Sequence, residues 1–266
     1  MDLPRNTFKA ALAAGRSQIG LWQALASPVT TEICAAAGFD WLLVDGEHGP
    51  NDIPLLAAQL RAAAPFPTHA VGRVPIGEVY LIKQYLDLGF QTLLVPMVES
   101  VAQAERLARA CRYPPDGIRG VGAGLVRASG YGRRGDYLAQ ADAEVCLIVQ
   151  IETRPGLDAL DGIAAVDGVD GVFIGPADLA AALGHRGQPG APAVQDAIAD
   201  GVARIRAAGK PAGALAADDA LVRRYLELGM TFVAVGSDVG LLARGSSELA
   251  ARYGEAAGVP RGDGSY

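Results

Sequence analysis

The sequence predicts an α/β protein that forms a single (β/α)8 barrel, with one domain over residues 1–266. Eight short apolar runs recur along the chain, and continuous apolar runs are typical of parallel strands buried on both faces. Helical segments separate the runs, and 266 residues is close to the roughly 250 of a typical eight-stranded barrel. This alternation favours a barrel over a doubly wound sheet or two smaller domains. The runs are Gln18–Trp22, Trp41–Asp45, Ala70–Val74, Thr92–Pro96, Cys146–Glu152, Gly171–Gly175, Pro211–Leu215 and Phe232–Gly236.

A repeated unit of helix, glycine and strand supports this alternation. Gly38, Gly89 and Gly229 each follow a helical segment and precede an apolar run, at the position where helices commonly end in the left-handed conformation. The segments Leu81–Leu86 and Leu221–Leu226 place apolar residues at i, i+1, i+4 and i+5, which makes one apolar helical face. These segments are therefore predicted as two of the helices between strands.

The connection before the fifth strand is out of proportion to the others. After a helix that ends near Arg112, about 30 glycine-rich residues precede Cys146, and loops of this length in compact domains are usually functional. Arg119 and Arg127 lie within residues 117–135, which is consistent with an anion-binding lid over the carboxyl end of the barrel. A surface excursion or a subunit contact explains the same composition equally well.

The charge of the chain favours small molecules as partners. The net charge is −6 and the basic residues are scattered, so no basic stripe is available for nucleic acid or an anionic membrane surface. No apolar run reaches the roughly 18–20 residues of a membrane-spanning helix, and the N-terminus has no signal-sequence pattern. We therefore expect a cytoplasmic protein.

The cysteines indicate a reducing compartment. Cys34, Cys111 and Cys146 are odd in number, widely spaced and set in apolar surroundings, which predicts buried thiols without a disulfide framework. At the chain ends, residues 1–6 and 259–266 are predicted to be frayed.

Polar side chains cluster where the predicted strands end. The carboxyl ends of barrel strands form one edge, here named the rim, and active sites of such barrels lie there. The rim would therefore bring together residues that are far apart in sequence. They are Trp22, Asp45, Glu47, His48, Arg73, Gln150, Glu152 and Asp178.

Two of these acids suggest a metal site. Glu152 and Asp178 end neighbouring strands, and Gln150 points to the same side of its strand as Glu152 because the two are separated by one residue. A lone glutamate at a strand end is commonly a helix cap or a surface ion-pair partner, but two adjacent acids favour metal ligation. Without cysteine or clustered histidine the site is a hard oxygen site, which suits Mg²⁺ or Mn²⁺.

Three further rim residues have both a chemical and a structural interpretation. Histidine has a reference pKa of about 6.5, and His48 is the best candidate for the general base of the reaction, although a lone histidine is often just a loop residue. Arg73 lies in a short apolar stretch and would bind either a substrate oxyanion or a rim acid. Trp22 would either line the pocket or belong to the core.

The lysines exclude one route to carbonyl chemistry. Lys9 precedes the first strand, Lys83 lies in a helix, and Lys210 begins the seventh strand at the end away from the rim. None can act there as a Schiff-base nucleophile. The electron sink would therefore be a metal.

Five segments carry a family resemblance when taken in order. The chain resembles the HpcH/HpaI family of metal-dependent class II pyruvate aldolases from about Asn6 to Tyr253. The resemblance implies reversible cleavage of 4-hydroxy-2-oxo acids, such as 4-hydroxy-2-oxoheptanedioate, to pyruvate and an aldehyde such as succinate semialdehyde. The segments are Trp41–His48, Thr92–Val98, Arg112–Gly122, Gln150–Thr153 and Gly171–Leu179.

The resemblance also implies roles for individual residues. Glu152 and Asp178 match the ligands of a divalent metal, Mg²⁺, Mn²⁺ or Co²⁺. His48 matches the proton acceptor and Arg73 the residue that stabilises the transition state. Asp87 matches an acid that raises the basicity of the histidine, from the same or a neighbouring subunit. Asp45 completes the expected catalytic set, and the expected substrate contacts are Trp22, Gln150, Gly175, Pro176, Ala177, Asp178 and Leu215.

The resemblance further implies a homohexamer in which the C-terminal helix is exchanged between subunits, and the apolar segment Val239–Leu242 fits such a role. Three other functions remain open. A related lyase acting on a coenzyme A thioester would need an adenine and pyrophosphate pocket, for which no clear site is evident. A phosphate-handling barrel would use Gly236–Ser237 and Gly120–Gly124. A non-catalytic keto-acid-binding protein would bind pyruvate without turnover.

Overall fold

A closed barrel of eight parallel strands forms the centre of the protein, in a computed structural model that describes residues 2–253. Each strand pairs with its neighbour in sequence, and the barrel closes where β8 pairs with β1. The predicted (β/α)8 barrel is therefore confirmed. The strands are β1 Gln18–Gln23, β2 Trp41–Asp45, β3 His69–Arg73, β4 Thr92–Val95, β5 Cys146–Ile151, β6 Gly171–Ile174, β7 Ala212–Leu215 and β8 Phe232–Ser237.

Helices surround the barrel and follow its strands. The predicted helix ends are confirmed, since Gly38, Gly89 and Gly229 have φ values of 90°, 104° and 90°. None of the helices in the described part of the chain combines the length and apolarity needed to cross a membrane. The helices are α1 Thr7–Ala13, α2 Pro28–Ala36, α3 Ile53–Ala63, α4 Val79–Leu88, α5 Val101–Cys111, α6 Tyr137–Glu144, α7 Arg154–Asp158, α8 Leu160–Ala165, α9 Pro176–Ala182, α10 Pro192–Ala207, α11 Asp219–Glu227 and α12 Asp238–Tyr253, with a 3₁₀ turn at Arg127–Ser129.

The barrel interior is filled by aromatic and branched side chains, and α1 closes its lower end. Phe8 of α1 packs against Trp41, His69 and Phe232, with ring centroids 5.6–5.8 Å apart for all three pairs. This end, opposite the rim, is named the base. A second apolar layer lies between the outer faces of the strands and the helices. With the base closed and the interior packed, the polar strand ends at the rim are the exposed end of the barrel.

The N-terminal segment is anchored at Asn6, unlike the frayed end that the sequence predicts. Asn6 is 2% exposed, and its side-chain amide donates to Thr92 Oγ1 at 3.0 Å and to the Glu144 carbonyl at 2.9 Å. Its side-chain oxygen accepts from the N–H of Lys9 at 2.8 Å and so caps α1. The predicted frayed tail at 259–266 lies outside the described residues.

The long connection before β5 does not lie over the rim. Arg127 donates to the carbonyl of Leu88 at 2.8 Å and Arg119 binds Asp87, so both arginines contact the last turn of α4. Because α4 follows β3 and runs back from the rim, its last turn lies toward the base. Within one chain this arrangement excludes a lid over its own rim and leaves the other interpretation of the sequence, a surface excursion or a subunit contact. The connection also contains α6 and the 3₁₀ turn. The sequence did not predict these two elements because the connection is rich in glycine.

The three cysteines are free thiols; Cys111 and Cys146 are buried, as predicted, whereas Cys34 is only half-buried. The last described helix, α12, is unusual in this fold because almost none of it packs on the barrel. Asp238 at its start is buried, whereas all residues from Leu241 to Tyr253 are exposed.

Candidate active site

Strand register brings the predicted rim residues into two neighbouring groups. In the β2–β3 ladder Asp45 pairs directly with Arg73. In the β5–β6 ladder Ile151 pairs with Ile174, so that the next residues, Glu152 and Gly175, also lie side by side. Residues separated by up to 28 positions in the sequence thus become neighbours through parallel pairing.

Asp45 holds Arg73 through two hydrogen bonds. Arg73 Nε donates to Asp45 Oδ1 at 2.9 Å and Nη2 donates to Oδ2 at 2.6 Å, the paired geometry that a guanidinium and a carboxylate favour. Trp22 Nε1 donates to Asp45 Oδ2 at 3.0 Å, and the Trp22 ring lies 4.7 Å from the guanidinium carbon of Arg73. The three side chains form one buried unit, so Trp22 is both a core residue and a wall of the site.

The backbone after β2 completes this unit. The N–H groups of Glu47 and His48 donate to Asp45 Oδ1 at 2.9 and 3.3 Å. Burial would raise the pKa of Asp45, but the hydrogen bonds and positive charge of Arg73 outweigh it, so the pKa is lowered overall. Asp45 is thus an ionised anchor whose two oxygens are fully used, and it serves Arg73 rather than acting as a base.

Glu47 provides a second carboxylate for Arg73. Its Oε2 lies 2.7 Å from Arg73 Nη1. Burial raises the pKa of Glu47 against the opposing charges of Arg73 and His48, and the negative charges of Asp45 and Asp178 raise it further. The sequence predicted that Glu47 lies on the rim but did not predict its ion pair with Arg73, because that pair depends on the path of the chain after β2.

His48 is the most exposed of the predicted site residues on this loop. Its side chain is 69% exposed and its Nε2 lies 4.0 Å from Glu47 Oε1. The loop is held by Asn51, whose side-chain amide donates to the Asp45 carbonyl at 2.7 Å. The imidazole therefore faces open space above the rim, beside the Arg73 unit, where a substrate hydroxyl can reach it.

Glu152 is buried at the end of β5 and is held on both oxygens. Gln150 Nε2 donates to Glu152 Oε2, and the N–H of Met97 donates to Oε1 at 2.9 Å. Burial raises the pKa of Glu152 to about 7 against these two hydrogen bonds, and the charges of Asp178 and Glu47 raise it further. The position therefore combines a desolvated carboxyl group with nearby negative charge.

This environment fits a divalent cation. The Gln150 Oε1 atom is buried without a hydrogen-bond partner among the described residues, and the same amide group donates to the Glu152 carboxylate. Within residues 2–253 no three His, Cys, Asp or Glu side chains are grouped to hold an ion. Glu152 and Asp178 would therefore supply two oxygen ligands, and the other positions would be filled by water or substrate.

The turn after β6 forms the side of the site next to Glu152. Gly175 and Pro176 are buried, whereas Ala177 and Asp178 are exposed in the first turn of α9. Asp178 is close enough that its negative charge raises the pKa values of Glu152 and Glu47. On the far side, Leu215 ends β7, is half-buried, and packs on the interior cluster that contains Trp22 and Phe173.

Asp87 is the predicted site residue that one chain does not bring to the rim. It lies in the last turn of α4, where its Oδ1 accepts from Arg119 Nη2 at 2.9 Å. A ten-residue helix is about 15 Å long, so the end of α4 is well below the rim where α4 begins. Within a single chain, Asp87 at the end of α4 therefore lies toward the base, whereas His48 in the loop after β2 lies at the rim.

Two contributors have no simple sequence signal. Met97 has φ 56°, a left-handed conformation that is rare outside glycine, and this conformation directs its N–H to Glu152. Tyr85 of α4 is 2% exposed and places its hydroxyl against Gly46, beneath the loop that carries His48. Burial raises the pKa of Tyr85, so its hydroxyl remains protonated.

The lysines lie as predicted, away from the rim. Lys9 Nζ donates to the Val145 carbonyl and Lys210 Nζ to the Val169 carbonyl, both at 2.6 Å and both just before a strand begins. Lys83 lies in α4. No lysine in the described part of the chain is placed among the rim carboxylates.

Known proteins place the chain in one family. The family model for HpcH/HpaI aldolase/citrate lyase matches residues 18–245. A hydroxypyruvate/pyruvate aldolase of Pseudomonas aeruginosa is 59% identical over 265 residues, 100% of this chain and 99% of that protein. A 4-hydroxy-2-oxo-heptane-1,7-dioate aldolase of Klebsiella pneumoniae is 56% identical over 248 residues, 93% of this chain and 94% of that protein.

Solved structures agree with this. The crystal structure of an HpcH/HpaI aldolase/citrate lyase family protein from Burkholderia cenocepacia has a TM-score of 0.90 and 42% identity, covering 93% of this chain and 98% of that one. The structure from Desulfitobacterium hafniense, an HpcH/HpaI aldolase, has a TM-score of 0.86 and 27% identity, covering 95% and 98%. The chain therefore belongs to the HpcH/HpaI aldolase/citrate lyase family and is an aldolase, a carbon–carbon lyase.

Proposed function

We propose that the protein is a divalent-metal-dependent pyruvate aldolase that reversibly cleaves 4-hydroxy-2-oxo acids to pyruvate and an aldehyde. The observation that carries this proposal is the buried carboxyl group of Glu152, with Asp178 beside it and Gln150 Oε1 unpartnered, next to the Arg73 unit. Mg²⁺, Mn²⁺ and Co²⁺ all suit two carboxylates with open positions. When bound there, such an ion supplies a Lewis acid that polarises the 2-oxo group of the substrate.

Arg73 would stabilise the charge that grows on the substrate. A guanidinium has five N–H donors, and Asp45 and Glu47 use three of them. The remaining two would donate to the C2 oxygen, which becomes negative as the C3–C4 bond breaks. Because Asp45 and Trp22 fix the guanidinium in advance, this contact needs little reorganisation during the reaction.

His48 would take the proton of the substrate C4 hydroxyl. Loss of this proton allows the C4 oxygen to become an aldehyde carbonyl as the C3–C4 bond breaks, and the electron pair of that bond passes to C3 and the C2 oxygen. A proton from the imidazolium, directly or through water, then adds to C3 to give the methyl group of pyruvate, and the reverse direction uses the same transfers. The exposed position of His48 above the rim fits this exchange, since the ring can reach solvent as well as the site. Leu215 and Trp22 would contact the part of the substrate that leaves as the aldehyde.

What the relatives share supports the proposed substrate class. One relative is named for hydroxypyruvate and pyruvate and another for a 4-hydroxy-2-oxo dicarboxylic acid, and both names contain a 2-oxo acid. We therefore propose that the 2-oxo carboxylate end is recognised by Gln150, Arg73 and the turn from Gly175 to Asp178. The aldehyde end is the part that distinguishes 4-hydroxy-2-oxoheptanedioate from shorter substrates.

The decisive experiment is a metal-depletion assay. Protein treated with a chelator should release no pyruvate from 4-hydroxy-2-oxoheptanedioate, and Mg²⁺, Mn²⁺ or Co²⁺ should restore release. Glu152→Gln should keep the fold by circular dichroism yet respond to no added metal. Full pyruvate release by exhaustively demetallated protein would refute the proposal. Turnover of only a coenzyme A thioester would favour the related lyase instead.

We further propose a homohexamer in which α12 packs on a neighbouring subunit. The exposed apolar side chains of α12 include Leu242 and Leu249, at 61% and 56% exposure. Exposure of such a row of apolar side chains to water is unfavourable. Docking on another barrel would bury them. The same assembly would allow Asp87 of one chain to approach His48 of another, which one chain by itself does not achieve.

A further inference from the structure

A cavity of about 490 Å³ opens at the base of the barrel, at the opposite end from the proposed active site. It lies between the start of β3, the end of α4 and the long connection before β5. Its walls are partly apolar and include Leu60, Phe66 and Phe90. This volume falls within the range of sites that hold small organic molecules.

The charged residues that line this base cavity are all positive. Four arginines line it, and none of its lining residues in the described part of the chain is Asp or Glu. The whole protein has 29 acidic and 23 basic residues, so the cavity reverses the charge of the chain locally. The four are Arg5, Arg119, Arg127 and Arg134.

Two of these arginines have an N–H group without a hydrogen-bond partner among the described residues. Arg119 is 1% exposed and uses Nη2 on Asp87 and Tyr137, while its buried Nε has no partner among the described residues. Arg134 donates through Nη1 to the Ala128 carbonyl, and its Nε is likewise buried without a partner. A guanidinium donor that is buried without a partner carries a desolvation cost, and a negative charge bound nearby would offset part of that cost.

Most of the positive charge is also unpaired. Within residues 2–253, Arg5, Arg127 and Arg134 form no ion pair with an acidic side chain. Burial lowers the pKa of Arg127, and the positive charges of Arg61 and Arg134 lower it further. Like charges that face one cavity repel each other, and a bound anion would offset this repulsion.

We propose that the base cavity binds a small organic anion, with a phosphate or carboxylate group on the arginines and an apolar body against Leu60, Phe66 and Phe90. Guanidinium groups bind both kinds of anion through paired hydrogen bonds. Within one chain the cavity and the rim lie at opposite ends of the barrel. It also gives a role to Arg119 and Arg127 at the base instead of at the rim.

Phenyl phosphate, benzoate and inorganic phosphate are suitable probes, tested by isothermal titration calorimetry on the metal-loaded protein. Saturable binding of phenyl phosphate or benzoate supports the site and shows which anionic group it prefers. Inorganic phosphate should bind at least tenfold more weakly than phenyl phosphate, because it lacks the apolar body. Absence of saturable binding by all three probes would overturn the proposal.

Variants of the cavity test whether the probes bind there. Arg134→Gln should weaken binding at least tenfold, and Ala64→Phe, at an exposed position that lines the cavity, should abolish it by filling the space. Arg223→Gln, an exposed arginine of α11 outside the cavity, is the matched control and should bind like the unaltered protein. Both cavity variants should retain aldol cleavage. Equal affinity in Arg134→Gln, Ala64→Phe and the unaltered protein would place the ligand elsewhere and refute the assignment.

Discussion

Gly175 lies directly against Glu152: a Cβ atom at position 175 would stand 2.5 Å from Glu152 Oε2 and 3.0 Å from Glu152 Cβ. It would also lie 3.1 Å from Gln150 Nε2. The φ of Gly175 is −87°, which any residue adopts. Glycine is therefore required here by space and not by backbone conformation, and its absence of a side chain sets where the buried carboxylate can lie.

Gly175→Ala should move Glu152 and weaken metal binding. Changes that disturb the orientation of a metal ligand typically reduce metal affinity about 10–100-fold. We expect a loss of that order in the metal concentration that half-activates pyruvate release. Gly190→Ala is the control, because a Cβ at this exposed position meets nothing within 4 Å. Unchanged metal activation in Gly175→Ala would show that Glu152 does not bind the ion.

Arg73→Lys should lower kcat with a smaller effect on KM. Lysine keeps the positive charge beside Asp45 but cannot make the paired contact or present fixed donors to the substrate. Loss of such a donor typically costs on the order of 10²–10³ in turnover. Arg106→Lys, in an exposed 3.6 Å pair with Glu78, should leave kcat unchanged. A kcat in Arg73→Lys equal to that of the control would remove Arg73 from the reaction.

Met97 offers a test of backbone conformation at the site. Met97→Val should destabilise the protein by about 1–3 kcal/mol, because a β-branched residue tolerates the left-handed conformation poorly. Met97→Gly should stay within about 1 kcal/mol of the unaltered protein and keep the N–H that binds Glu152. Chemical denaturation measures both. Equal stability of the two variants would mean that Met97 does not hold φ near 56° in solution.

His69 should make stability depend on pH. Burial lowers its pKa to about 4, below the reference value of about 6.5, so the unfolded chain binds more protons between these values. The stabilising effect of neutral His69 is complete above about pH 6.5 and is lost as the pH falls toward 4. His69→Gln should remove this loss, which is about 3 kcal/mol for a pKa lowered this far. Identical pH profiles of unfolding free energy in both proteins would exclude this role.

Leu242→Glu should prevent assembly if α12 docks on a neighbour. A charge in a buried apolar contact is costly, so the variant should elute as smaller species in size-exclusion chromatography with light scattering. Ser247→Glu, another exposed position of α12, is the control. Aldol cleavage should fall together with assembly if a neighbour supplies Asp87. An assembly that persists unchanged in Leu242→Glu would rule out this use of Leu242.

Local sequence patterns predicted the elements well. Glycine after a helix marks the turn into a strand because few other residues adopt the left-handed conformation, and Gly38, Gly89 and Gly229 all do so. Alternation along a strand predicted that Gln150 and Glu152 share a side, and their side chains are in contact. Both relationships depend only on residues close in sequence.

Relationships between distant segments were harder to predict. The sequence allowed Arg73 to bind either an oxyanion or a rim acid, and the β2–β3 register with the path of the following loop decided that it binds Asp45 and Glu47. Likewise, the glycine-rich connection carries Arg119 and Arg127 to the base because of where α4 ends. Nothing near Met97 in the sequence indicates its left-handed backbone.

The amino-acid order alone determined the alternation of helices and strands, and this alternation specifies the barrel. It also determined the rim at which the polar residues gather, because parallel strands all end on the same side. Tertiary packing decided which of those residues touch, how deeply each is buried, and which charges remain uncompensated at either end. Charge and solvation depend on neighbours in space, and a sequence pattern fixes such neighbours only within one helix or strand.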